Sequence, residues 1–98
     1  YTQIQKVAGM AHAFNMPIDN GGAFPFHNMH LHGGVMNGGM VEYHYVSVEC
    51  CKTFFKGLPE PKDGWLDLPK TPGLGFEPDM DLVRELAKAP KSMGQGKG

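Results

Sequence analysis

Residues 14–44, FNMPIDNGGAFPFHNMHLHGGVMNGGMVEYH, constrain the fold more than any other part of the chain. They run in order as a strand end, a glycine loop, a short helix, a turn and a second strand, with Glu42 set in the apolar run of that last strand. Strands joined in this way are parallel, because a parallel connection needs a crossover of a dozen or more residues, usually helical. A βαβ unit is not a domain. It implies a larger sheet or barrel, most of which this sequence does not contain.

The chain has 98 residues, enough in length for one small domain. Its hydrophobic content is 41%, and with 14 glycines and 8 prolines it spends many positions on turns rather than core. The first residue is Tyr1 and a helical pattern begins at once, so an N-terminal part is expected to precede it. A net charge of −1 gives no electrostatic ground for binding nucleic acid or an anionic membrane. The apolar runs are far short of the ~20 residues of a membrane helix, and no charged-then-apolar leader pattern is visible. Cys50 and Cys51 are neighbours, which rarely pair with each other, and two thiols make no secreted framework. The expected compartment is therefore reducing and cytoplasmic.

Thr2 and Gln5 have the spacing of a capping box, and Ile4, Val7, Ala8, Ala11 and Phe14 follow at helical spacing as one buried face. Asn15 suits a left-handed helix end, and residues 16–18 read as a short strand leaving through Asp19, Asn20, Gly21 and Gly22. Residues 26–35 are predicted helical, although Gly33 and Gly34 weaken the end by roughly 1 kcal/mol each. Residues 40–48 alternate as a strand, with Met40, Glu42, His44 and Val46 on one face. Residues 50–57 are ambiguous, with a short helix as one reading, residues 65–68 read as a short strand, and residues 72–75 as a turn. Asp79 or Asp81 caps a last helix through Ala89, with Leu82, Val83 and Leu86 as its apolar stripe. Residues 91–98 are expected to form a disordered tail.

Glu42 is the first candidate for chemistry. A carboxylate within an apolar strand is costly to bury unless paired, and in parallel barrels the C-terminal strand ends carry the catalytic groups. The alternative is an edge strand with Glu42 facing water. Asp19, Asn20 and Gly21 leave a strand at the place where parallel α/β folds bind ligands, but they also read as ordinary turn residues. His27, His30, His32 and His44 resemble a metal cluster in composition; His27 and His30 can share a helix face, but no ligand set of familiar spacing is completed. The seven methionines are scattered as core filler rather than grouped as a soft-metal site.

The order AHAFNMPI, glycine loop, short helix with His30 and Leu31, then MVEYH, resembles the C-terminal end of the mandelate racemase and muconate lactonizing enzyme family of the enolase superfamily. DGWLDLPKTPGLGFEPD, residues 63–79, strengthens the resemblance, and its PGLG is the most specific piece. The implied fold is α/β: the C-terminal portion of a modified (β/α) TIM-type barrel, incomplete on its own. Residues 1–48 would be its last βα units, and residues 49–90 a return segment and final helix packing towards a capping domain. The resemblance places residues 2–14 as the sixth barrel helix, 16–20 as the seventh strand, 26–35 as the helix after it and 40–44 as the last strand. It implies Mg²⁺, held by carboxylates upstream of residue 1, and removal of the proton alpha to a substrate carboxylate. Glu42 matches the glutamate that hydrogen-bonds that carboxylate as an electrophilic acid, with Asp19, Asn20 and Gly21 facing the substrate. The histidine base of many members would fall near Gly21, so the base is expected to lie upstream.

The expected function is thus a part of an acid-sugar dehydratase, inactive by itself, acting when whole as a homo-oligomer on a small carboxylate such as a sugar acid. A racemase or epimerase of the same family is the alternative. Two readings of other classes are a small His/Met metal-binding module and a small α+β interaction domain without chemistry.

Overall fold

The structure, a computed structural model, describes residues 1–22 and 24–88. Helix α1 spans Thr2–Ala13. Its N-cap is Tyr1, whose carbonyl accepts from Gln5 N at 2.9 Å, and no side chain caps it, so the expected Thr2–Gln5 box does not form. The other end follows expectation. Asn15 takes φ 58°, Asn15 N donates to His12 O at 3.0 Å and Met16 N to Ala11 O at 2.9 Å, the paired bonds of a Schellman ending.

That ending moves the first strand. Met16 N is already used and Pro17 has no N–H, so the first free donor is Ile18 N, which reaches Asn37 O at 2.9 Å. Strand β1 is accordingly Ile18–Asn20, two residues later than the pattern suggested. Helix α2, Pro25–Gly34, starts with a proline, where a missing N–H costs nothing. Strand β2, Gly38–Val41, then pairs parallel with β1, which completes the βαβ unit. The register is not uniform: Ile18 faces Gly38 but Asn20 faces Val41, so β2 carries one extra residue between the two pairs.

The long strand expected over residues 40–48 is a correction. β2 stops at Val41, and Tyr45–Phe54 form helix α3 with His44 as N-cap. The β-branched and aromatic residues there favour a strand locally, but Val48 and Cys51, three apart, are both buried on one helix face. Burial against the core overrides local preference. Residues 65–68 form no strand either; Lys62 and Trp65 exchange N–H···O bonds of 2.7 and 2.9 Å around Asp63 (φ 52°) and Gly64 (φ 82°). Two positive φ values are what a type I′ turn requires. Strand β3, Phe55–Lys56, pairs antiparallel with β4, Glu77–Pro78, and helix α4 spans Met80–Ala87. Of the two acids proposed as its cap, Asp79 takes the role, accepting from Leu82 N at 3.3 Å. Ala89 and the tail at 91–98 lie outside the described residues. No helix of the described residues is long and apolar enough to cross a membrane.

The core gathers Phe26 and Met29 from α2, Val48 and Cys51 from α3, and Phe76 from the segment before β4. Phe76 is its junction, with ring centroids 6.3 Å from Phe26, 5.3 Å from Phe55 and 5.2 Å from His27. The PGLG turn delivers that ring: Gly73 and Gly75 take φ 72° and 85°, and His30 Nε2 donates to Leu74 O at 2.6 Å. This cluster crosses the boundary expected after residue 48, which falls inside α3. The apolar face of α1 is the opposite case. Only Ala8 is buried, while Val7 is 54% and Phe14 78% exposed, because no other described element covers that face.

Two predictions follow from this core. Removing the buried ring in Phe76→Ala should cost about 3–5 kcal/mol, enough to collapse the amide dispersion of the chain's NMR spectrum, whereas Trp65→Ala, at a 77% exposed position, should leave it intact. His27 is half-buried against Phe55 and Phe76; burial pushes its pKa below the ordinary value, and neighbouring His30 pushes it the same way. The folded chain therefore holds His27 neutral where the unfolded chain protonates it. Its contribution should be complete above about pH 6.5 and decline as the pH falls towards the folded pKa. Urea denaturation between pH 7.5 and 5 should show this decline, and His27→Phe should flatten it.

Candidate functional site

The C-terminal ends of β1 and β2 bring the expected residues together. Glu42 stands one position past β2, and its own N–H continues the ladder by donating to Asn20 O at 3.0 Å. Its carboxylate crosses to the loop after β1, where Oε2 accepts from Gly22 N at 3.1 Å. Oε1 lies above Gly21, close enough that a Cβ on Gly21 would stand 3.1 Å from it. Glu42 and Gly21 are both exposed, so the acid stands at the open end of the parallel pair and not in a buried ion pair.

Asp19 and Asn20 point to opposite faces of β1, as neighbours in a strand must. Asp19 Oδ1 accepts from Met40 N at 2.6 Å. Asn20 Oδ1 accepts from His32 Nε2, on the last turn of α2. Each therefore uses one side-chain oxygen within the fold. The pattern had singled out Asp19, Asn20, Gly21 and Glu42, and the fold places all four at one strand end. It had not singled out Gly22 as a donor or His32 as a partner of Asn20. Gly22 had a visible signal, its φ of 73°, only in the sense that a double glycine after a strand allows such a turn. The contact of His32 depends on tertiary packing.

The histidines do not form a metal site. His27 packs among Phe24, Phe55 and Phe76, His30 holds Leu74 O, His32 holds Asn20, and His44 begins α3. Among the described residues no group of three or more His, Cys, Asp or Glu side chains is placed to hold an ion. The helix instead spreads these rings to separate partners. Magnesium, which the resemblance implies, needs several oxygen donors. Asp19 and Glu42 each have one oxygen committed to a backbone N–H, and no third acid joins them. These residues do not fit a magnesium site. Cys51 is buried in the core and burial pushes its thiol pKa up, which makes it a packing residue rather than a nucleophile.

A search of curated proteins and a search of solved structures found no match. A family model described as enolase C-terminal domain-like matches residues 1–82, from α1 into α4 and through every site residue named above. The chain belongs to the enolase C-terminal domain-like family.

Proposed function

We propose that this chain is the closing part of a (β/α) barrel in an enzyme that removes the proton alpha to a substrate carboxylate, and that Glu42 is its acid at the substrate. The observation that carries the reading is the setting of Glu42. The carboxylate stands past the end of a parallel strand with Oε2 held by Gly22 N, while Oε1 is left over a residue without a side chain. A fixed polar group aimed at an open strand end is suited to meet charge that develops on a ligand. Removing an α-proton puts new negative charge on the substrate carboxylate. A proton on Oε1 would make Glu42 a hydrogen-bond donor to it, with Gly21 as the floor beneath and Asp19 and Asn20 at the flank.

The substrate class we favour is a sugar acid that loses water to give a keto acid. Support for the dehydratase reading is the family resemblance and not the geometry of this segment. Magnesium, if the whole enzyme uses it as its relatives do, would stabilise the same charge from residues outside this chain, as would the general base. The protein would act in the cytoplasm as a homo-oligomer.

The experiment is Glu42→Gln in the complete enzyme, assayed on a panel of sugar acids for keto-acid formation and for epimerised product. Turnover should fall about 10²–10⁴-fold, the usual contribution of a positioned general acid, because the Gln amide can donate a hydrogen bond but cannot give up a proton. Stability should change by less than about 0.5 kcal/mol, as for other exposed positions. An unchanged kcat would remove Glu42 from the site. Epimer without keto acid would replace the dehydratase by a racemase.

A further inference from the structure

We infer that the extra residue in β2, clasped by Asp19, decides which face of the sheet Glu42 presents, and that Asp19 is a positioning residue for it. The inference rests on the reading of Glu42 as the substrate acid. Its basis is the phase of the strand. Side chains of a strand alternate with period two, so Gly38, Met40 and Glu42 would share one face in a regular ladder. Gly38 faces α2: a Cβ there would stand 3.0 Å from both Nδ1 and the carbonyl O of His32. Without the irregularity, Glu42 would therefore point at α2.

The observed pairing is different. Ile18 pairs with Gly38 and Asn20 with Val41, two steps on β1 against three on β2. Partners across a parallel pair share a face, so Val41 joins Gly38, Ile18 and Asn20 on the helix side. The next positions agree: the ring of Tyr43 lies 5.8 Å from that of Phe26 on α2, and Glu42, between Val41 and Tyr43, reaches Gly21 and Gly22. One inserted residue has inverted the phase of the strand.

A bulge leaves one backbone N–H without its ladder partner. Here that group is Met40 N, and Asp19 Oδ1 takes it at 2.6 Å. Gly39 makes the room, since a Cβ on it would fall onto Asp19 Oδ1 and within 3.0 Å of Ile18 O. Asp19 and Gly39 thus act as one device: the carboxylate fills the space the glycine leaves and satisfies the donor the bulge frees. An acceptor oxygen is needed for this; a negative charge is not.

The test compares Asp19→Asn, Asp19→Ala and Gly39→Ala in the complete enzyme, alone and combined with Glu42→Gln. Asp19→Asn keeps the acceptor and should lose at least tenfold less kcat than Asp19→Ala, while Gly39→Ala should lose at least tenfold in kcat. Combined with Glu42→Gln, neither should lower kcat much further, because the acid they position is already gone. Hydrogen exchange at the Met40 amide gives a readout separate from activity: protection should persist in Asp19→Asn and vanish in Asp19→Ala. Should Asp19→Ala fail to fold, Asp19→Asn and Gly39→Ala carry the comparison. Equal loss of kcat in Asp19→Asn and Asp19→Ala, with Met40 still protected in Asp19→Asn, would overturn the inference and make the charge of Asp19 the active feature. Protection of Met40 in Asp19→Ala would overturn it directly. If Glu42→Gln leaves kcat unchanged while the exchange pattern holds, the acid's role fails and the clasp stands.

Discussion

The parallel pair exists only because the last turn of α2 comes down directly onto the start of β2. Two parallel strands cannot be linked by a tight turn, so the crossover helix must return along the sheet and lie against it. At Gly38 the approach is so close that His32 O and the His32 ring occupy the space a side chain would need. This contact sets the height of α2 over the sheet and brings His32 to Asn20 on the neighbouring strand. From the other side, Phe76 and Leu74 hold α2 against α3 through Phe26, His27 and His30. The helix is pinned on two faces, and the strand ends inherit their positions from it.

The sequence exposes the βαβ order because each of its parts has a local cause. Asn15 ends a helix by accepting a left-handed conformation, Pro17 delays the strand, Pro25 opens the next helix and Gly38 allows its return. Those signals depend on a few neighbouring residues. The fate of residues 45–54 does not. Val46 and Val48 favour a strand on their own account, and only the aromatic cluster around Phe76, far along the chain, makes a helical face of Val48 and Cys51 the better burial. The capping box fails for a local reason: α1 starts one residue earlier than its spacing implies, with Tyr1 as N-cap, so Thr2 stands inside the first turn and no side chain caps the helix.

For the candidate site, the shared strand end was legible and its geometry was not. Asp19, Asn20, Gly21 and Glu42 follow from the rule that strand C-termini carry chemistry, and they do meet at one end. Which way each points depends on a register shift between Ile18–Gly38 and Asn20–Val41. A shift of one residue leaves no mark in hydrophobic alternation when the strand is as short as Gly38–Val41 and two of its four residues are glycine. The regular alternation expected for Met40, Glu42, His44 and Val46 is what a strand without the bulge would show. Glycine pairs in a strand are the nearest thing to a warning, since they mark bulges and close approaches alike.

The double glycine of the first loop shows why residue type alone cannot separate such causes. Gly21 and Gly22 are adjacent and meet the same carboxylate, yet they are required for different reasons. A Cβ on Gly22 would meet nothing within 4 Å, so space is not its constraint; its φ of 73° is, because that turn suits glycine and strains other residues. Gly21 has no positive φ, and its constraint is the 3.1 Å between a would-be Cβ and Glu42 Oε1. The backbone freedom of one residue holds Oε2, and the missing side chain of the other leaves Oε1 open. An alanine at Gly22 would disturb the orientation of the acid through backbone strain, whereas an alanine at Gly21 would crowd the oxygen left for a ligand and press directly on the carboxylate.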